Sequence, residues 1–237
     1  MNGIVQIRFM GRFGNQIQQY VVARKYAESV GAELEVPDWV GRDVFGLTDR
    51  PYSRELPETS DPSLGQTDIR LSGFFQTQRW VGTLSRAEVR GWLAVQPNLL
   101  EACRSVVPPE PYTAAHLRRG DYVGHPFYAT VVERSYLRAC TEHGLGSIDA
   151  WVQEGLPRVV AGVPDFLPDF VTLMRATILL RANSNFSWWA AALGDADVYA
   201  PVVTDHIGEY DADFVRGNWP MIAGHELCGV DDLHLPE

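Results

Sequence analysis

The chain has 237 residues, enough for one large α/β domain or two small ones folding unaided. Apolar residues make up 46% and charged residues 21%, an ordinary globular composition, and the net charge of −10 argues against a general binder of nucleic acid or anionic membrane. The three cysteines, Cys103, Cys140 and Cys228, are odd in number and far apart, which fits a reducing compartment and neither a disulfide framework nor a metal site. No apolar run approaches the ~18 residues of a membrane span. The N-terminus has no signal-peptide layout, so a cytoplasmic location is expected.

The opening reads as strand, loop, helix, strand. Ile4, Val5, Ile7 and Phe9 form a short apolar strand, and Gly11-Arg12-Phe13-Gly14-Asn15-Gln16 a tight loop. Ile17, Tyr20, Val21, Ala27 and Val30 recur at helical spacing up to Gly31, a residue suited to a helix C-terminus. Glu33 to Val36 is the next strand, closed by Pro37, and the Pro-, Asp- and Ser-rich stretch from Asp38 to Asp68 reads as loop. Ile69 to Trp80 is apolar and aromatic. Ser85-Arg86-Ala87-Glu88 is a capping-box pattern opening a helix, and a second short helix is expected over Asn98 to Ser105. Pro108, Pro109 and Pro111 mark the expected domain boundary, giving domains 1–108 and 109–237.

The second half repeats the alternation. Tyr112 to Leu117 is a strand, and Thr130 with Glu133 fits a capping box before a helix with Val132, Tyr136, Ala139 and Cys140 on one face. Ile148 to Glu154 is expected to add a helical turn or two, and Arg158 to Ala161 a short strand. A helix over Asp169 to Ala176, a buried strand over Thr177 to Arg181, a helix from Asn183 to Leu193 and a last strand over Asp197 to Val202 follow. Such alternation implies mostly parallel sheets with ligands at their C-terminal edges.

Three polar segments each follow a strand. His116-Leu117-Arg118-Arg119-Gly120-Asp121-Tyr122 sets two guanidinium groups beside a histidine and a carboxylate. Arginine forks stay charged and bind phosphate oxygens bidentately, and the glycine permits a sharp turn. On an acidic protein this is a local positive feature, as a focused anion site requires. Asn183-Ser184-Asn185-Phe186-Ser187 opens a helix, whose free N–H groups receive phosphate; Asn and Ser are also ordinary N-caps. The Gly11 loop lacks the Gly-x-Gly-x-x-Gly dinucleotide fingerprint, and its glycines can equally serve only a strand-to-helix turn. Trp188 and Trp189 read as core or interface residues.

The order of these segments, with Gly73-Phe74-Phe75-Gln76 between the first two and Ala190-Ala191-Ala192-Leu193 after the last, resembles the α-1,2-fucosyltransferases (glycosyltransferase family 11) and their wider superfamily of α-1,6- and protein O-fucosyltransferases. The resemblance spans nearly the whole chain. It implies a GT-B-like fold of two facing Rossmann-like α/β domains, with GDP-fucose as donor substrate held mainly by the C-terminal one. Transfer would be inverting and need no metal ion or other cofactor, and the acceptor would be a hydroxyl of an oligosaccharide or glycolipid.

Carried over by position, Arg118 holds the β-phosphate as GDP departs, and Arg119 joins it or supports the loop through an ion pair. His116 contacts the nucleotide and Asp169 reads guanine. Ser184, Asn185 and Ser187 meet phosphate oxygens, and Arg12, Phe13, Gly14 and Asn15 close on the pyrophosphate and sugar from the other domain. Asp121 is the nearest candidate proton acceptor, with an ion pair to an arginine as its alternative. Phe74, Phe75 and Trp80 either stack on acceptor sugar rings or fill the core.

The sequence departs from the family pattern in two places. A strand ending in Phe-Ser-Asp-Asp is expected before a tryptophan, yet here Gly144-Leu145-Gly146 runs into Ser147-Ile148-Asp149-Ala150-Trp151, so the C-terminal sheet is expected to be one strand short. Asn185 stands where a small hydroxyl residue is usual, and it can still donate to phosphate. The missing strand leaves two alternatives open: a transferase using another nucleotide sugar, and a non-catalytic nucleotide- or glycan-binding relative.

Overall fold

The structure, a computed structural model, describes residues 3–76, 78–120, 123, 129–153, 156–203 and 208–217. Its contacts divide the chain into two compact units, one ending at Gln96 and one beginning at Pro97, so Pro108, Pro109 and Pro111 lie within the second. Among the described residues no helix is long and apolar enough to cross a membrane.

In the first unit β1 (Ile4–Arg8), α1 (Phe13–Val30) and β2 (Glu33–Glu35) follow the expected order. The sheet runs β2-β1-β4-β3, all parallel, with β3 at Glu58–Thr59 and β4 at Ile69–Ser72. β1 packs against α1, and Val5 and Ile7 of the strand and Ile17, Tyr20 and Val21 of the helix are fully buried. Gln6 is buried on the same strand and needs partners there. Its Nε2 donates to Glu35 Oε2 at 2.8 Å, and its Oε1 accepts from Arg70 Nε at 3.0 Å.

The stretch expected as loop from Asp38 to Asp68 contains both a helix, α2 (Val40–Phe45), and β3. Trp39 decides this locally: its ring meets Phe9, Tyr20 and Phe45 at 4.7, 5.5 and 6.5 Å and docks the segment on α1. The short α3 (Gln78–Val81) precedes α4 (Arg86–Trp92), which opens on the capping box read from the sequence. Ser85 Oγ accepts from the Glu88 N–H at 3.3 Å, and Glu88 Oε2 accepts from the Ser85 N–H at 3.0 Å.

The second unit begins with α5 (Pro97–Cys103) and builds a five-stranded sheet, β11-β9-β8-β5-β7. Here β5 is Thr113–Leu117, β7 Ala150–Gln153, β8 Ile178–Leu180 and β9 Asp197–Pro201, all parallel. β11 (Phe214–Arg216) pairs antiparallel to β9, so Asp197 to Val202 is not the last strand, and β6 (Ala129–Val131) pairs with β10 (Gly208–Tyr210) in a separate ribbon. The helix α6 (Glu133–His143) covers one face, where Tyr136, Ala139 and Cys140 meet Ala115, Leu117 and Leu180. The helices α7 (Leu167–Met174) and α8 (Asn185–Leu193) pack against each other, and Phe170 of α7 meets Phe186 of α8 edge to face at 5.3 Å.

Four local expectations are corrected here. Ile148 to Glu154 is not helical: β7 occupies Ala150–Gln153, paired with β5 from Ala114↔Ala150 to Leu117↔Gln153. The missing strand is therefore present. Ala150 and Val152 are buried while Trp151 and Gln153 are half-buried, the period of two that suits a pleated strand. Asp149 Oδ2 also accepts from the Thr113 N–H at 2.8 Å, which anchors the start of the pairing. Arg158 to Ala161 forms no strand. Thr130 does not cap α6, because it lies inside β6, and the N-cap position is Val132.

Candidate functional site

In the second unit the chain passes from β5 to β7 on one side of the sheet, and then from β8 to β9 on the other. The order reverses between β5 and β8. Ligands of open α/β sheets bind outside the carboxyl ends of the strands at such a point. The chain leaving β5 is Arg118-Arg119-Gly120, and the chain leaving β8 is Arg181-Ala182-Asn183-Ser184. Two motifs some 65 residues apart in sequence thus stand on adjacent strands, since Ala115 pairs with Leu180.

Arg118 and Arg119 are half-buried, and Gly120 turns the chain with φ of 51°. Arg119 Nη1 lies 3.9 Å from Glu209 Oε1 on β10, a loose ion pair that steadies the loop. Asp121 and Tyr122 lie outside the described residues. His116 is 1% exposed, its ring 5.7 Å from that of Phe186 and its backbone carbonyl accepting from Tyr136 Oη at 2.7 Å. Burial, then the charges of Arg118 and Arg181, push its pKa down to about 3, so the ring is neutral at physiological pH. Its Nδ1 is buried without a hydrogen-bond partner among the described residues.

The N-terminus of α8 is built as a cap. Ser184 Oγ accepts from the Phe186 N–H at 3.3 Å, and Asn185 is the first helical residue. Ser187 is fully buried, and its hydroxyl points back into the turn, donating to the Ala182 carbonyl at 3.3 Å. Trp188 and Trp189 are buried, edge to face at 4.8 Å. The connection from β7 brings the N-terminus of α7 to the same sheet edge, and with it Asp169 in the first turn. Arg158 Nη1 meets Asp169 Oδ1 at 2.8 Å, while its Nη2 donates to the Trp151 carbonyl at 3.1 Å. Burial pushes the Asp169 carboxyl up, and the Arg158 ion pair pulls it back only in part.

The sequence reading missed two residues, Arg158 and Arg181. Arg181 directly follows β8 and is fully buried, with Nη1 donating to the Ala182 carbonyl at 2.9 Å. The signal for it was a lone charge closing an apolar run. No local signal joins Arg158 to Asp169. Among the described residues, no group of three or more His, Cys, Asp or Glu side chains could hold a metal ion.

The first unit has the same plan. β1 neighbours both β2 and β4, and the loops after β1 and β4 carry the other two motifs. Gly11 has φ of 72°, a conformation that L side chains rarely adopt. Arg12 is exposed in extended backbone before α1, and Gly14 is buried in its first turn. Phe13 is buried and stacked on Phe45 at 5.9 Å. Asn15 Oδ1 accepts from Gln76 Nε2 at 3.2 Å, and Gln18 Nε2 donates to the Phe75 carbonyl at 2.8 Å, which clamps the second loop onto α1. The aromatic run is sorted by its packing. Phe75 is buried edge to face on Trp80 at 5.1 Å, with φ of 52°, while Phe74 is 47% exposed.

No family model and no curated protein sequence matches this chain. Solved structures do. NodZ, an α-1,6-fucosyltransferase from Bradyrhizobium soaked with GDP-fucose, aligns with a TM-score of 0.56 at 13% identity over 92% of this chain and 100% of its own. A variant of Arabidopsis thaliana FUT1 in complex with GDP gives 0.53 at 11% identity over 85% of this chain and 71% of its own. POFUT1 in complex with GDP-fucose gives 0.53 at 14% identity over 82% and 96%. These likenesses establish a shared architecture: the chain has the GT-B-like α/β fold of these fucosyltransferases, with mostly parallel sheets.

Proposed function

We propose that this protein is an inverting, metal-independent glycosyltransferase that moves fucose from GDP-fucose to a hydroxyl of an oligosaccharide or glycolipid, forming an α-1,2 linkage in the cytoplasm. The observation that carries the reading is the meeting of the Arg118 loop and the Ser184-capped α8 N-terminus at the β5/β8 switch point. A guanidinium fork and a helix N-terminus on adjacent strands are the chemistry a leaving diphosphate requires.

In this mechanism the acceptor oxygen attacks the anomeric carbon of fucose as the bond from that carbon to the β-phosphate oxygen breaks. The electron pair of that bond leaves with GDP, and the acceptor hydroxyl gives its proton to a base, assigned to Asp121. Arg118 neutralises the charge developing on the β-phosphate. Donors fixed where charge develops supply the largest catalytic term. Arg119 supports the loop, and Ser184 and Asn185 present the helix N-terminus to phosphate oxygens. Ser187 acts through the turn that its hydroxyl closes. His116 offers the nucleotide a neutral ring nitrogen. Asp169 receives guanine, since a carboxylate holding one arginine retains acceptor capacity. The segment Arg12, Phe13, Gly14 and Asn15 is the first unit's proposed contribution to pyrophosphate and sugar.

The non-catalytic alternative, like that of another nucleotide sugar, rested on a missing strand, and β7 removes that ground. Calorimetry with GDP, with UDP and ADP as controls, tests the nucleotide, and transfer from GDP-fucose tests the reaction. Arg118→Ala is expected to cut turnover by about 100- to 1000-fold with the melting temperature unchanged. Near-normal turnover in that variant refutes the assignment.

A further inference from the structure

Arg181 is a charged residue in a buried, largely apolar setting. It follows β8 directly, its side chain is 0% exposed, and Leu179, Leu180 and Ala182 around it are buried apolar residues. Desolvating a guanidinium is costly, and an aliphatic residue would fill such a position without that penalty.

One of its hydrogen bonds shows where it acts. Nη1 donates to the Ala182 carbonyl at 2.9 Å, and the same carbonyl accepts from Ser187 Oγ at 3.3 Å. The Ala182 carbonyl and the Asn183 N–H belong to one planar trans peptide, so they point in opposite directions. Two buried donors that hold the carbonyl therefore turn the Asn183 N–H away from themselves, just before the cap of α8. Arg181 and Arg118 also both oppose protonation of His116, which places both charges within electrostatic reach of the end of β5.

We infer that Arg181 is a positioning residue for a nucleoside diphosphate: it orients the Asn183 N–H toward a phosphate oxygen and adds a buried positive charge behind the one at Arg118. This rests on the GDP reading above and names a residue that reading does not use.

The test is the ratio of GMP to GDP dissociation constants, measured by calorimetry on the full chain. The ratio isolates the β-phosphate, whereas general loosening of the fold weakens both ligands alike. In the unmodified chain GDP binds more tightly than GMP. Arg181→Met is expected to lower the ratio by about 10-fold, the scale of one partly screened charge at this range, and Arg181→Lys to restore part of it. Arg181→Gln, which can still donate to Ala182 but carries no charge, serves if the Met variant does not fold; it keeps the orienting hydrogen bond and loses the charge, so a smaller drop in the same direction is expected. An unchanged ratio in a folded neutral variant overturns the inference and leaves the GDP reading standing. Failure of both neutral variants to fold also overturns it, by assigning Arg181 to the fold. Absence of GDP binding by the unmodified chain overturns the reading beneath it.

Discussion

Acidifying the protein from pH 7.5 to 4.5 charges His116 in the unfolded chain and leaves it neutral in the folded one. Its folded pKa lies near 3 against an ordinary 6.5, because the ring is 1% exposed and two guanidinium charges act on it. The folded value is the depressed one, so between these values the unfolded state binds more protons. The stabilisation is complete above about pH 6.5 and is lost progressively toward pH 3. Each pH unit inside that window costs about 1.4 kcal/mol, so two units, from 6.5 to 4.5, cost about 2.7 kcal/mol.

The carboxylates held low by their partners, Glu88 and Asp211 near 2, lose their contribution at lower pH, below about 4.5. The experiment is urea unfolding followed by tryptophan fluorescence at pH 7.5, 6.0 and 4.5, on the unmodified chain and on His116→Gln. The variant removes the titrating group, so its stability is expected to fall by about 2–3 kcal/mol less across this range. Equal pH slopes in the two proteins, or a His116 ring that titrates near 6.5 by nuclear magnetic resonance, would refute the argument.

Two further perturbations test the packing around the site. Arg158→Met strands the Asp169 carboxylate, which is 7% exposed, and is expected to cost about 3–5 kcal/mol in thermal or urea unfolding. Adding Asp169→Asn should recover most of that loss, and a single variant as stable as the parent would show that the pair does not hold α7 in place. Gly194 closes α8 where a Cβ would come within 1.9 Å of the Met174 backbone carbonyl, so α7 and α8 would have to separate. Gly194→Ala is expected to lower stability by about 1–3 kcal/mol; an unchanged melting curve would contradict that close approach.

The sequence by itself determined which residues form the polar loops and that each follows a strand. These are short-range matters. Short apolar runs at Ile4–Arg8 and Thr113–Leu117, a cap at Ser85 and a glycine at Gly120 act within a few residues, so the strands beneath the Gly11 and Arg118 loops could be read directly. Tertiary structure decided what pairs with what. Ala150–Gln153 is too short for its period to separate a strand from a helical turn, and only the free edge of β5 makes it a strand. Nothing near Asp38 to Asp68 announces a helix; the Trp39 ring finds its place among Phe9, Tyr20 and Phe45. Phe74 and Phe75 carry the same side chain, and the pocket beside Trp80 accepts one of them. Arg158 finds Asp169 across a loop, and Arg181 becomes a buried cation because β5 and β9 close over both sides of β8. Local propensity fixes the conformation of a segment, but burial and partnership depend on which distant segment packs against it, and that information resides in no short stretch of the chain.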